Sequence, residues 1–172
     1  MNQFPMIIKP DSKVLVVGQN PGQSQSKEED YEFENAKTCE DVIMVYEKWF
    51  KRCRFYHGLW RPLCSNWLDT GMCSYTALVR ERTYGNARPS NEQIAKYLPT
   101  VLAIIERFDV VIAVGSMVRD NLRGHHPSVV AISHPASFAT ARKRHDDIMN
   151  VKETLFINGI KLIDTSASDN VR

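Results

Sequence analysis

The nine residues Val14-Leu-Val-Val-Gly-Gln-Asn-Pro-Gly22 constrain the fold of this chain more than any other stretch. Four apolar residues, three of them β-branched, read as a short strand buried in a parallel sheet. Gly18, Pro21 and Gly22 then break the strand into a tight loop. In open α/β sheets, ligands bind at the carboxyl ends of strands, where loops are held rigidly and water is easily excluded. Gln19 and Asn20 therefore stand where chemistry tends to gather. The plainer alternative is a strand followed by an ordinary turn.

A second stretch repeats the design. Ser128-Val-Val-Ala-Ile-Ser-His134-Pro135-Ala136-Ser137-Phe138 is a short apolar strand, a polar loop with a proline, and then a helix-like segment. Two strand-end loops, one carrying Asn20 and the other His134, can face one cleft. A carboxamide and an imidazole are suited to orienting a water and stabilising an anion.

Gly18-Gln19-Asn20-Pro21-Gly22, paired with His134-Pro135-Ala136, resembles the two signature loops of the uracil-DNA glycosylase superfamily. The first loop is intermediate between the G-Q-D-P-Y loop of the uracil-specific enzymes and the G-I-N-P-G loop of the mismatch-specific thymine/uracil enzymes. The second is similar to the H-P-S loop of several branches. Each motif alone is weak, and the specificity lies in both occurring in order, each after a strand. The resemblance covers roughly residues 12–150.

The resemblance implies an α/β fold, a three-layer α/β/α sandwich around a central, mostly parallel four-stranded sheet. It implies a monofunctional DNA glycosylase that cleaves the N-glycosidic bond of a flipped damaged, deaminated or modified base, uracil-like as the first expectation, and leaves an abasic site. Asn20 and His134 take the catalytic roles, and the Gln19 backbone amide adds a hydrogen bond to the base. In relatives an aromatic about a dozen residues past the catalytic position stacks on the base. Phe33 follows Asn20 by thirteen residues and Tyr31 by eleven; ordinary core is the alternative for Phe33. Alignment on Gly85-Asn86 and Pro89-Ser90 puts Ala77, with Thr76 beside it, where relatives carry a base-reading asparagine. An alanine side chain makes no hydrogen bonds, so the preferred base is left open. Ser137 and Phe138 fall in the loop that enters the minor groove, Phe138 as the wedge or else as a helix-start core residue. Arg142 and Lys143 follow as phosphate-holding residues. No cofactor or metal is implied.

At 172 residues the chain is long enough for a substantial core and is read as one domain over residues 1–172. Its composition, 43% hydrophobic and 24% charged, is that of a globular protein. No apolar run approaches the roughly 20 residues of a membrane span. The start, Met-Asn-Gln-Phe-Pro-Met-Ile-Ile-Lys, lacks the features of a signal peptide, so an intracellular protein is expected. With the resemblance, the expectation is a cytoplasmic (nucleoid-associated) or otherwise intracellular monomer, free of membrane and acting on double- or single-stranded DNA.

The net charge of +2 announces no nucleic-acid partner, but its distribution is uneven. Glu28, Glu29, Asp30, Glu32 and Glu34 crowd together, whereas residues 48–68 hold Lys48, Lys51, Arg52, Arg54 and Arg61 and no acid. Arg142-Lys143-Arg144 follows the second loop. Such a split can give a basic face or only solvated helix faces. Cys39, Cys53, Cys64 and Cys73 contain no C-x-x-C pair. Some superfamily branches hold an iron–sulfur cluster with two cysteines upstream of the first loop, and none precedes Cys39.

Periodicity predicts helices over 39–56, 60–71, 90–108, 116–123 and 138–155, the third opened by a Ser90/Gln93 capping box. Strands are expected at 74–79, 109–115 and 128–133, beside the first. Gly124-His-His-Pro127-Ser contains another H-P-S string, but ahead of a strand, and is read as a decoy. Leu155-Phe-Ile-Asn158-Gly159-Ile-Lys-Leu-Ile163 carries the Asn-Gly signature of a C-terminal β-hairpin. Two further readings compete with the glycosylase. One is a non-catalytic base- or nucleic-acid-binding module on the same fold. The other is a nucleotide- or cofactor-binding α/β domain, which lacks both G-x-G-x-x-G and a Walker lysine.

Overall fold

Runs of β-branched and small residues become the four strands of one sheet in the computed structural model, which describes residues 6–21, 26–50, 52, 73–81, 87–134 and 139–161. They are β1 (Val14–Gly18), β2 (Cys73–Ala77), β3 (Val110–Val114) and β4 (Val129–Ile132). The spatial order is β2-β1-β3-β4, and every pairing is parallel. Parallel strands need long crossovers. Helices α1 (Lys27–Asn35) and α2 (Cys39–Phe50) lie in the first crossover, α3 (Asn91–Ile105) in the second and α4 (Ser116–Leu122) in the third. Helix α5 (Ala141–Ile157) follows β4.

Alternation along the strands divides the core. Val14, Val16, Val110, Ile112 and Val114 face one way and meet Val151 and Leu155 of α5. Leu15, Val17, Val111 and Ala113 face the other way and meet Ile94, Tyr97 and Val101 of α3 with Met117 and Val118 of α4. Helices therefore cover both faces, giving the expected three-layer sandwich. β1 and β3 are buried on two sides, which is why their sequences are continuously apolar rather than alternating. The chain leaves β1 toward β2 and later returns on the far side to β3. This reversal makes the carboxyl ends of β1 and β3 the crevice where ligands bind in such sheets.

Helix α3 opens as predicted. The Ser90 hydroxyl accepts the Gln93 N–H at 3.2 Å, and the Gln93 carboxamide oxygen accepts the Ser90 N–H at 3.0 Å. Helix α1 has no apolar stripe and was not foreseen. Its signature is the start: Ser26 caps the Glu29 N–H at 3.1 Å, with Glu28, Glu29 and Asp30 in the first turn.

The C-terminal hairpin is corrected. Leu155, Phe156 and Ile157 are the last turn of α5. Asn158-Gly159 ends that helix, with Gly159 at φ +68°. The Gly159 N–H bonds the Phe156 carbonyl and the Ile160 N–H bonds the Leu155 carbonyl, both at 3.0 Å. This is a Schellman cap, sealed by buried Ile160 in the same core cluster as Leu155. Asn-Gly suits both endings because each needs a positive φ. The second hairpin arm, Leu162-Ile163, lies outside the described residues, as does the helix expected over 60–71.

Candidate active site at the carboxyl edge of the sheet

The first loop is fastened to the sheet past the end of β1. The Gly18 carbonyl accepts the Leu78 N–H at 2.8 Å, and the Gln19 carbonyl accepts the Val79 N–H at 3.0 Å. The ladder thus outlasts the strands and fixes the backbone that carries Asn20. Its side chain is oriented too. Gln19 Nε2 donates to Asn20 Oδ1 at 3.2 Å, and Asn20 Nδ2 donates to the Pro21 carbonyl at 3.3 Å. Gln19 and Asn20 are both half-buried. A carboxamide held this way presents fixed dipoles that need little reorganisation when a charge develops nearby.

His134 stands two residues beyond the end of β4 and is half-buried. Burial holds its imidazole below the usual 6.5, so at neutral pH the ring is uncharged and offers one N–H donor. The strand between β1 and β4 is β3, and its last residue is followed by Gly115. That residue caps α4 at φ +90°, ψ 161°, and its N–H bonds the Ile132 carbonyl at 2.8 Å. A Cβ at Gly115 would lie 3.7 Å from the His134 Cβ. His134 therefore leans against a position that carries no side chain. Two strand spacings, roughly 10 Å, separate the ends of β1 and β4, and the residue between them is bare.

The residue before His134 is bonded to Asp147 of α5, a residue that the sequence did not single out. It is 3% exposed. One carboxylate oxygen accepts the Ser133 N–H at 2.7 Å, and the other pairs with Lys143 Nζ. Burial pushes this carboxyl up, but the bonds from Lys143 and Ser133 outweigh it and hold the pKa below its ordinary value. A signal was available: Asp147, Val151 and Leu155 recur at four-residue spacing, so the acid sits on the buried stripe of α5.

The remaining candidates divide. Tyr31 and Phe33 both lie on α1, two positions and so about 200° apart around the helix. Tyr31 is 67% exposed, while Phe33 is half-buried. Ala77 ends β2 opposite Gly18 and is buried. Thr76 beside it has a buried Oγ1 with no hydrogen-bond partner among the described residues. Arg142 is exposed on α5, and Lys143 is engaged with Asp147. Pro135, Ala136, Ser137 and Phe138 lie outside the described residues.

Other charges serve the scaffold. Glu32 of α1 accepts Trp49 Nε1 at 2.8 Å and pairs with Lys48, and the Arg52 guanidinium stacks over the Trp49 ring at 4.5 Å. Lys48 and Arg52 are thus tied into the α1–α2 packing. Within the Gly124–Ser128 string, His126 Nδ1 accepts the Ser128 N–H at 3.1 Å, leaving Nε2–H to donate to the Phe108 carbonyl at 2.8 Å. Among the described residues, no group of three acids, histidines or cysteines could hold a metal ion, and no helix is long and apolar enough to cross a membrane.

A family model described as the uracil DNA glycosylase superfamily matches residues 5–155. None of the curated proteins matches the chain. The match spans both strand-end loops, all four strands and most of α5, and the chain belongs to this superfamily, a family of DNA glycosylases.

Proposed function

We propose that this member of the superfamily is a monofunctional DNA glycosylase that hydrolyses the N-glycosidic bond of a flipped, damaged, deaminated or modified base. The observation that carries the reading is the carboxyl edge itself: a fixed carboxamide after β1 and an uncharged imidazole after β4, flanking bare Gly115.

A base within a duplex is out of reach, so it is first extruded into the site. As the glycosidic bond breaks, its electron pair leaves with the base and the sugar becomes cation-like. Asn20 steadies the positive charge and positions the water that adds to the sugar carbon, and the proton which that water sheds ends, by way of solvent, on the departing base. His134 donates to the base oxygen that gathers negative charge, and the Gln19 backbone amide adds a second donor. An uncharged donor suits this task, since it stabilises an anion without carrying a full charge into a half-buried site. A carboxamide is a poor general base, so turnover is slow relative to enzymes with an aspartate at this position.

Phe33 is the better stacking candidate of the two aromatics, being half-buried where Tyr31 is largely exposed. Phe138 wedges the duplex, Ser137 contacts its backbone, and Arg142 holds a flanking phosphate, giving affinity that falls with salt. Lys143 contributes there only while also serving Asp147. A second reading, a module that binds a base without cutting, is favoured by Ala77, which offers no side-chain hydrogen bond for base selection.

Oligonucleotides carrying uracil, hypoxanthine, xanthine or 5-modified pyrimidines, incubated with the chain and then treated with alkali, test the proposal. Strand breaks at one of these bases are expected from the wild type and not from Asn20→Ala, with DNA affinity largely retained. Binding without breaks supports the module. Equal activity in Asn20→Ala removes Asn20 from the mechanism.

A further inference from the structure

We propose that Asp147 is the positioning residue of the site, setting His134 against Gly115 by holding the Ser133 N–H from within α5. The inference deepens the glycosylase reading and rests on it for its catalytic meaning. Its geometry is independent of that reading.

Ser133 is the first residue past β4, and its N–H has left the strand pairing, which ends at Val114↔Ile132. A donor at this point needs an acceptor or water. Asp147 supplies one across fourteen residues at 2.7 Å. A charged acceptor makes a shorter and stronger bond than a neutral one. His134 is the next residue, so fixing the Ser133 peptide fixes the direction in which the chain enters His134. On the other side, the Ile132 carbonyl is held by Gly115. The backbone is thus clamped immediately before His134 by β3 and by α5.

The cost of burying an acid explains Lys143. A carboxylate 3% exposed needs a counter-charge, and Lys143, one turn earlier on α5, reaches it while remaining 57% exposed. Asp147, Lys143 and Arg144, whose Nε donates to the Ala139 carbonyl at 3.3 Å, are charged groups of α5 tied to this loop, and the residue after β3, Gly115, is uncharged. Asp146, beside Asp147 in sequence, is exposed. The same residue type one position earlier does none of this.

The test reads His134 directly. The His134 ring is followed by NMR through a pH titration in wild type, Asp147→Ala and Asp147→Asn, with His134→Gln used for assignment and circular dichroism to check folding. Asp147→Ala is expected to raise the His134 midpoint toward the ordinary imidazole value, because a ring freed from its place regains solvent. Asp147→Asn keeps an oxygen facing Ser133 and is expected to stay near wild type. In the base-release assay, Asp147→Ala should lose about tenfold to a hundredfold in single-turnover rate, with affinity for a duplex holding a tetrahydrofuran abasic-site analogue within about twofold.

A folded Asp147→Ala whose His134 titrates as in wild type overturns the proposal. Where Asp147→Ala fails to fold, amide exchange in the wild type decides: a protected Ser133 N–H supports the clamp, and a rapidly exchanging one overturns it. A wild type that releases no base from any oligonucleotide overturns the proposed function and leaves the titration result standing.

Discussion

Gly18→Ala probes how tightly the first loop is built. A Cβ at this position would lie 2.7 Å from the Tyr75 hydroxyl oxygen and 3.4 and 3.5 Å from two of its ring carbons. Ordinary contact begins near 3.4 Å, so the hydroxyl must retreat by about 0.7 Å to restore the normal packing distance. Retreat is hard on both sides. Tyr75 is 9% exposed in the cluster with Val14, Val16 and Cys73, and the Gly18 carbonyl is pinned to Leu78. Overpacking of this kind costs about 1–3 kcal/mol, or about 2–4 °C in Tm per kcal/mol for a chain of this size. Tyr75→Phe removes the oxygen and leaves the two ring contacts, which are tolerable. The double variant should therefore recover part of the loss, with a coupling of about 1–2 kcal/mol in a cycle measured by urea unfolding. Base release should follow the same pattern, because the strained backbone leads straight to Asn20. Gly18→Ala at wild-type stability, or a cycle additive within about 0.5 kcal/mol, would refute the reasoning.

His134→Gln is expected to lower single-turnover base release by roughly a hundredfold or more, with little change in melting at pH 8. Because burial lowers the His134 pKa from 6.5, the unfolded chain binds the proton first, and stability is lost as pH falls below about 6.5. His134→Gln should flatten that part of the stability curve, and an unchanged slope would exclude this origin. Glu81 is drawn from 4.5 to about 2 by hydrogen bonds from Lys96, Tyr97 and Gln93, so its contribution is complete above about pH 4.5 and disappears toward pH 2. Glu81→Gln should flatten the acid limb in that window, as followed by circular dichroism. Phe138→Ala should slow release from duplex DNA more than from single strands; a uniform effect would argue against a wedge.

The strands were legible because burial on two faces leaves an unmistakable apolar run, as in Val14–Val17 and Val110–Val114. The start of α3 was legible because Ser90 and Gln93 satisfy each other locally. Helix α1 escaped because it is held by its cap and by Glu32 bonding to Trp49 and Lys48, with no apolar stripe to betray it. The hairpin was misread because a positive φ at Gly159 closes a helix as readily as it turns a ribbon. In the site, Gln19, Asn20 and His134 were readable as loops that follow strands. Asp147 was not, since its partner is a backbone N–H fourteen positions away, and backbone groups leave no mark in a sequence. The engagement of Lys143 was equally hidden: a run of Arg142-Lys143-Arg144 reads as one basic surface, yet Lys143 pairs with Asp147 and Arg144 Nε bonds the Ala139 carbonyl.

Gly115 sets a limit on how this edge of the sheet can diversify. Its φ of +90° bars residues with side chains as firmly as their bulk would, so the middle of the edge cannot be resculpted by point changes. In the proposed reading, discrimination among bases then falls to the perimeter, at the end of β2 and on α1, where Ala77 and Phe33 stand. Divergence in specificity with an unaltered centre is the behaviour such a geometry favours.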